Sequence, residues 1–293
     1  MNPYEADQDK IPEADRYGDV PLYGRYLPRE DDFKPEKDHI KSSTPESLRY
    51  WESVLEKCTP ENRIYEAQEG GRDVFALGSV IVKSSHLKEG LGGRRSFRDY
   101  SFADRNELQT VDLVRGILRG VLVPEIYFAS KINERNVLVQ SRIPGVGLNI
   151  AWQYLTPAKK ASFKSQARRL VTLMHKLRSP FPAPSYVVPD MDPVTHRGIQ
   201  NLEHQILFTL SERDDLGFVH NDMSLSNIIV DNDRIVGIID WEMAGYFGIK
   251  TAANVHVQIR MPKRSNFAAL DLPEKMMKDI LYWNDLYETS PTD

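Results

Sequence analysis

The residues of this chain best suited to chemistry lie between His220 and Glu242, in "HNDMSLSNIIVDNDRIVGIIDWE". Two apolar runs, Ile228–Val230 and Ile235–Ile239, flank Asp231, Asn232 and Asp233. This pattern predicts two short strands joined by a tight polar turn. Asp222 stands five residues before Asn227, and Asp240 follows the second run directly. A hairpin of these strands returns Asp240 close to Asn227. Hard cations such as Mg²⁺ take oxygen ligands from carboxylates and amides. Asn227 and Asp240 are therefore candidate metal ligands, and Asp222 is left to orient a hydroxyl.

Something must hold these groups in place. The chain has 293 residues, 41% of them hydrophobic and 27% charged. It is long enough for one large domain or two lobes with a sizeable core. Its net charge of −4 gives no general affinity for nucleic acid. Cys58, the single cysteine, excludes an internal disulfide and reads as a packing residue. The first ten residues contain no apolar secretory core, and no run approaches a membrane span. A cytoplasmic protein without nucleic-acid or membrane partners is the expectation.

Along the chain, residues 1–43 form an acidic, proline-punctuated extension. Within residues 1–40, eleven acids face six Lys/Arg. Such composition alone predicts an extended or disordered segment, although its tyrosines and leucines offer points that pack. Thr44 and Pro45 open a helix with Leu48, Trp51, Val54 and Leu55 on its apolar face. Strands are predicted over 63–67, 74–77 and 79–84. The loop "KEGLGGRRS" follows, as the expected mobile loop, then a helix with Leu108, Val111, Val114 and Leu118 at helical spacing. "EIYFAS" and "NVLVQSRIPG" read as a strand hairpin. Helices are predicted over 157–178 and 193–214. A strand-rich first part before a helix-rich second part predicts an α+β protein of two lobes. The expected divisions are 44–143 for the first lobe and 144–293 for the second.

The order of these parts matches the protein-kinase template: a catalytic-loop Asp, an Asn shortly after it, and a metal-binding Asp after the next strands. Here the loop reads H-N-D-x-x-x-x-N and the metal segment I-I-D-W-E, where a protein kinase has H-R-D and D-F-G. An isolated Asp and Asn at this spacing arises by chance, but the two motifs on correctly ordered strands do not. The chain resembles the aminoglycoside phosphotransferase family, small-molecule kinases of protein-kinase-like fold. That family carries H-G-D-x-x-x-x-N followed by I-D-[FW]-[GE], and its fungal members often read G-I-I-D-W-E-x-A-G, as Gly237–Gly245 does here. The resemblance covers roughly residues 60–260 and is most specific in the second half. Asn221 stands where the family has glycine; asparagine tolerates left-handed backbone better than most residues.

The resemblance implies ATP and Mg²⁺ as cofactors and a small-molecule hydroxyl as acceptor. It implies Asp222 as catalytic residue, with Asn227 and Asp240 holding metal. Lys83, at the end of "GSVIVK", would reach the phosphates and Glu107 would fix it, with Asp104 and Asp112 as rivals on the same helix. Adenine would lie against the segment from Gln140 to Ile143. His220 would support the loop. The nucleotide loop is thin, with only "EGGRD" between the first two strands. Glu242 could face a cationic acceptor or serve as an outlying carboxylate. Two other readings share the fold: a silent pseudokinase or nucleotide-binding scaffold, and an enzyme that uses ATP for a reaction other than phosphorylation. All four of Lys83, Asp222, Asn227 and Asp240 are kept, which favours an active phosphotransferase.

Overall fold

The computed structural model describes residues 25–68, 70–88, 98–209 and 215–288. The first 24 residues, all of "KEGLGGRRS" but Lys88, and all of the acidic "ERDD" at 212–215 but Asp215 lie outside them.

The architecture is the predicted α+β pair of lobes. The first lobe is an antiparallel sheet of β1 (Arg63–Tyr65), β2 (Asp73–Leu77), β3 (Val80–Ser84), β4 (Ile126–Ile132) and β5 (Arg135–Ser141). Their order is β1-β2-β3-β5-β4. Helix α1 (Pro45–Leu55) begins as predicted, with the Thr44 hydroxyl accepting from Ser47 N–H. Trp51 of α1 stacks on Phe128 of β4, and around them Phe75, Val80, Val82 and Val139 form the core of this lobe. Cys58 is buried beside them, and burial pushes its thiol up to about 12, as befits a packing residue. Helix α2 (Tyr100–Arg115) is capped by Asp99 and packs against β4 and β5.

The second lobe is mainly helical. It holds α3 (Leu148–Ala151), α4 (Pro157–His175), α5 (Pro193–Arg197), α6 (Asn201–His204), α7 (Ile249–Val255) and α8 (Glu274–Ile280). Two small sheets accompany them. One pairs β6 (Val146–Gly147) with β9 (Ile228–Asp231), and β9 with β10 (Arg234–Ile238). The other is β7 (Ser185–Tyr186), β11 (Gly245–Phe247) and β8 (Gly217–Val219). The predicted hairpin is present: Arg234 pairs with Asp231, and the intervening Asn232 and Asp233 take φ of 44° and 63°. Two consecutive left-handed residues make the turn whose twist matches the strands.

The helix predicted over 193–214 is instead broken. Gly198, at φ 63°, ends α5, and α6 runs into a wide π-helical turn over Gln205–Thr209. Apolar spacing carries through such breaks, so periodicity alone does not reveal them.

Residues 25–41 lie across both lobes. Tyr26 and Gly145 exchange two backbone hydrogen bonds of 2.8 and 3.0 Å, and Arg25 pairs with Asp231 in the second lobe. Phe33 O accepts from Ser79 N–H and from its hydroxyl at the β2–β3 turn. Gly145 adopts φ 124°, and a Cβ there would stand 2.7 Å from Val230 O. Only glycine lets three chain segments meet at this point.

Candidate active site

Lys83 is the penultimate residue of β3, and its ammonium is buried. It donates to Asp240 Oδ1 at 2.8 Å and to Glu107 Oε2 at 3.2 Å. Burial alone would depress the ammonium, but Asp240 and Glu107 outweigh it and raise its pKa. Glu107 sits on the inward face of α2 and also accepts from Trp241 N–H at 3.3 Å. Its rivals are placed elsewhere: Asp104 binds Arg72, and Asp112 is exposed beside Arg115. Glu107 is fully buried, which pushes its carboxyl up to about 7 against the pull of Lys83, and Asp240 and Glu242 push the same way.

The loop before β9 is built on His220. Its Nε2 lies 3.0 Å from Ile239 O, and its Nδ1 accepts from Asp222 N–H at 3.2 Å. These partners put the proton on Nε2. Burial lowers the imidazole pKa, so the ring is neutral and ties the loop to the residue before Asp240. Asn221 has φ 63°, the conformation that a glycine would adopt freely. Its amide donates to Met243 O at 3.0 Å, a bond no glycine could make. Asn227 donates its amide N–H to Asp222 O at 3.0 Å, and Ile239 N–H donates to Asn227 O at 3.0 Å. The hairpin thus brings the Asp240 backbone within one residue of Asn227. Asp240 itself is left-handed, at φ 65°.

Asp222, Asn227, Asp240, Lys83, Gln140 and Ile143 all line one cleft between the lobes, with a volume of about 580 Å³. Carboxylate oxygens of Glu107, Asp240 and Glu242 lie within 4.8 Å of one another. Glu107 and Glu242 are engaged by cations, whereas a third of the Asp240 side chain is open. With its N–H on Asp222 O, the Asn227 amide has its oxygen to offer. One carboxylate and one amide oxygen fit Mg²⁺, which keeps waters and phosphates as its other ligands.

At the hinge, the N–H groups of Ser141 and Arg142 are used by Glu125 O and Ser79 O. Gln140 is buried in the cleft wall, and its Oε1 has no hydrogen-bond partner. Tyr26, packed under the Arg142 guanidinium at 4.3 Å, also lines this end.

Sequence reasoning missed a group of arginines. Arg98 donates to Glu242 Oε1 at 2.9 Å, and Arg72 lies 3.8 Å from Glu242 Oε2. Arg72 also binds Asp104 at 2.8 Å, and both guanidinium groups lie over the Tyr100 ring. Arg72 belongs to the "EGGRD" turn, so the turn is anchored to α2. Burial works against the Glu242 charge, but Arg98, Lys83 and Arg72 hold its carboxyl well below the usual range. Arg260 grips Glu203 with two nitrogens, donates to Asn221 O at 3.1 Å, and stands 3.9 Å from Asp222 Oδ2. Arg98 and Glu242 are 144 positions apart in sequence. No local pattern distinguishes these arginines among 38 Lys and Arg.

The two-lobed α+β fold and its cleft can be set beside known proteins. The model of a family described as the phosphotransferase enzyme family matches residues 105–247. Through that segment the chain is similar to that family. No curated protein matches the chain. Among solved structures it is similar to a gentamicin–APH(2")-IIa complex, at 13% identity and TM-score 0.47, covering 84% of this chain and 85% of that one. It is also similar to the macrolide 2'-phosphotransferase MphH from Brachybacterium faecium, at 11% identity and TM-score 0.42, covering 83% and 84%. Likeness at that level carries no argument about substrate.

Proposed function

We propose that the protein is an ATP- and Mg²⁺-dependent phosphotransferase acting on a hydroxyl of a small molecule. The observation that carries this reading is the meeting of Lys83, Glu107 and Asp240 in the cleft that Asp222 and Asn227 also line. Lys83 places a fixed positive charge where phosphates would lie, and buried Glu107 holds it there. Asp240 and Asn227 would hold Mg²⁺, which neutralises phosphate charge when bound. Asp222 accepts the proton of the acceptor hydroxyl at a carboxylate oxygen, and Arg260, Asn227 and His220 restrain its loop. The base of the nucleotide packs against Gln140 and Ile143, whose N–H is unpaired among the described residues. Catalysis of this kind is positioning and charge stabilisation.

Thermal shift with ATP tests the reading. The wild type is expected to gain melting temperature with ATP only when Mg²⁺ is present, because a ligand of the native state stabilises it by mass action. Asp240→Ala should lose the Mg²⁺-dependent part. Asp222→Asn should keep the shift and lose phosphoryl transfer by about a thousandfold or more. No shift with any nucleotide in wild type would sink the proposal and favour a scaffold that keeps only the fold.

A further inference from the structure

One end of the cleft is lined by Arg98, Gln200, Glu203, Asp222, Glu242 and Arg260. It adjoins the carboxylate assigned to the acceptor hydroxyl, so the acceptor must pass or occupy it. A pocket for a polycation presents carboxylates that are free to pair with it. Here they are already paired. Glu242 is held by Arg98 at 2.9 Å with Arg72 behind it, and Glu203 is gripped by two nitrogens of Arg260. Among the described residues of this end, only Asp222 lacks a close ion pair, its nearest guanidinium nitrogen being 3.9 Å away.

The cations are less fully used. Arg98 is nine-tenths buried, and among the described residues its only hydrogen bond is the one from NH2 to Glu242. Its Nε is closed to solvent and has no hydrogen-bond partner among the described residues. The guanidinium lines the cleft, where N–H groups beyond the one given to Glu242 can meet a bound anion. A guanidinium offers five N–H groups in a planar fork that suits a carboxylate or a phosphate. Stacking on Tyr100 at 4.5 Å restricts Arg98 to this position.

We infer that the acceptor is an anionic hydroxyl compound, a carboxylate or a phosphate ester, whose charged group is held by Arg98 at the end of the cleft lined by Glu203, Glu242 and Arg260. This rests on the phosphotransferase reading and narrows its acceptor. Transfer to such a compound breaks the bond between the γ-phosphorus of ATP and its bridging oxygen. It forms a P–O bond to the acceptor oxygen, moves the hydroxyl proton to Asp222, and releases ADP. A cationic acceptor at Glu242, which the sequence leaves open, would have to displace Arg98.

The test uses the full chain saturated with Mg²⁺ and ADP, and thermal shift as the readout. The probes are D-gluconate for a carboxylate, glucose 6-phosphate for a phosphate, glucose as the neutral control, and kanamycin and spermidine as polycations. At least one anionic probe is expected to raise the melting temperature where glucose, kanamycin and spermidine do not. Arg98→Gln should weaken the apparent affinity for that probe by about tenfold or more, the worth of one charge-assisted hydrogen bond. The same variant releases Glu242, so the polycations should gain affinity. Arg98→Lys keeps the charge and should retain part of the anion response, which separates a lost contact from a misfolded protein. A response to kanamycin or spermidine in wild type, or no response to either anion, overturns the inference while leaving the phosphotransferase reading intact. Absence of any shift with Mg²⁺ and ADP themselves removes that reading, and this one with it.

Discussion

Two charge clusters stand side by side in the cleft, and they differ in how completely they are closed. In the first, Lys83 meets Glu107 and Asp240, and Asp240 is 34% exposed. In the second, Arg72 and Arg98 meet Asp104 and Glu242, and no side chain in it is more than 15% exposed. The first leaves an acidic group open to a ligand. The second neutralises its own carboxylates and shuts them from solvent. The contrast separates a cluster with an open carboxylate, suited to a cation, from one whose carboxylates are closed and that holds the β1–β2 turn, α2 and the segment after β10 together, with Arg98 at its cleft edge. Burial by itself does not mark a functional site; an unclosed charge at its edge does.

The largest expected effect on stability sets the two clusters apart directly. Arg72→Met leaves Asp104 buried without its partner, and breaking a buried pair in this way costs about 3–5 kcal/mol. Lys83→Met should cost clearly less. Glu107 is already pushed up to about 7 and can take a proton, and Asp240 can turn to solvent. Lys83→Met should nevertheless abolish phosphoryl transfer. Denaturant unfolding of both variants at neutral pH checks this. Equal losses would mean that the first cluster is as structural as the second.

The difference between the clusters also explains what could be read from the chain. The hairpin, its polar turn and the Asp222–Asn227–Asp240 grouping follow from a short stretch whose apolar runs and polar ends are contiguous. Lys83 was legible because a lone cation ends an apolar strand. Glu107 followed from the family pattern and helix spacing. By contrast Arg72, Arg98 and Arg260 act through partners 32, 144 and 57 positions away. Only the folded chain brings such partners together, and a surface arginine looks the same in sequence. The break at Gly198 escaped for a related reason, since the apolar residues on either side keep helical spacing. The tyrosines of the acidic, proline-rich extension were legible as points that pack, but the partner was not: composition does not show that Tyr26 meets Gly145.

A middle-sized effect lies in the pH dependence, and the two sides of the Asp240 segment should give opposite signs. His220 is neutral in the folded protein because burial lowers its pKa below the ordinary 6.5. Its contribution is present above about 6.5 and is lost as the pH falls and the unfolded chain gains a proton. Glu107 is raised from 4.5 to about 7. Its contribution is present below about 4.5 and is lost as the pH rises through 7. Melting temperature against pH for wild type, His220→Gln and Glu107→Gln separates them. His220→Gln should flatten the acid limb, and Glu107→Gln should flatten the decline toward neutral pH. A Glu107→Gln profile parallel to wild type would show that Lys83 keeps Glu107 ionised, making the first cluster a fully formed ion pair like the second.

The smallest effect tests whether closure or pair geometry gives the arginines their worth. Arg264 and Glu274 make a two-pronged pair at 2.9 and 3.0 Å, the same arrangement that Arg260 makes with Glu203. The Arg264 pair is exposed on both sides, whereas Glu203 is buried. Arg264 lowers the Glu274 pKa, but in open solvent that attraction is offset by hydration and by the entropy of fixing two long side chains. Arg264→Ala should therefore leave the melting temperature unchanged at low and at high salt. Arg260→Met should lower it markedly, since it strands Glu203 in the interior and frees Asn221 O. If Arg264→Ala were as damaging as Arg260→Met, geometry would outweigh burial, and the closed Arg72–Asp104–Glu242–Arg98 cluster would lose its claim to be the structural half of the cleft.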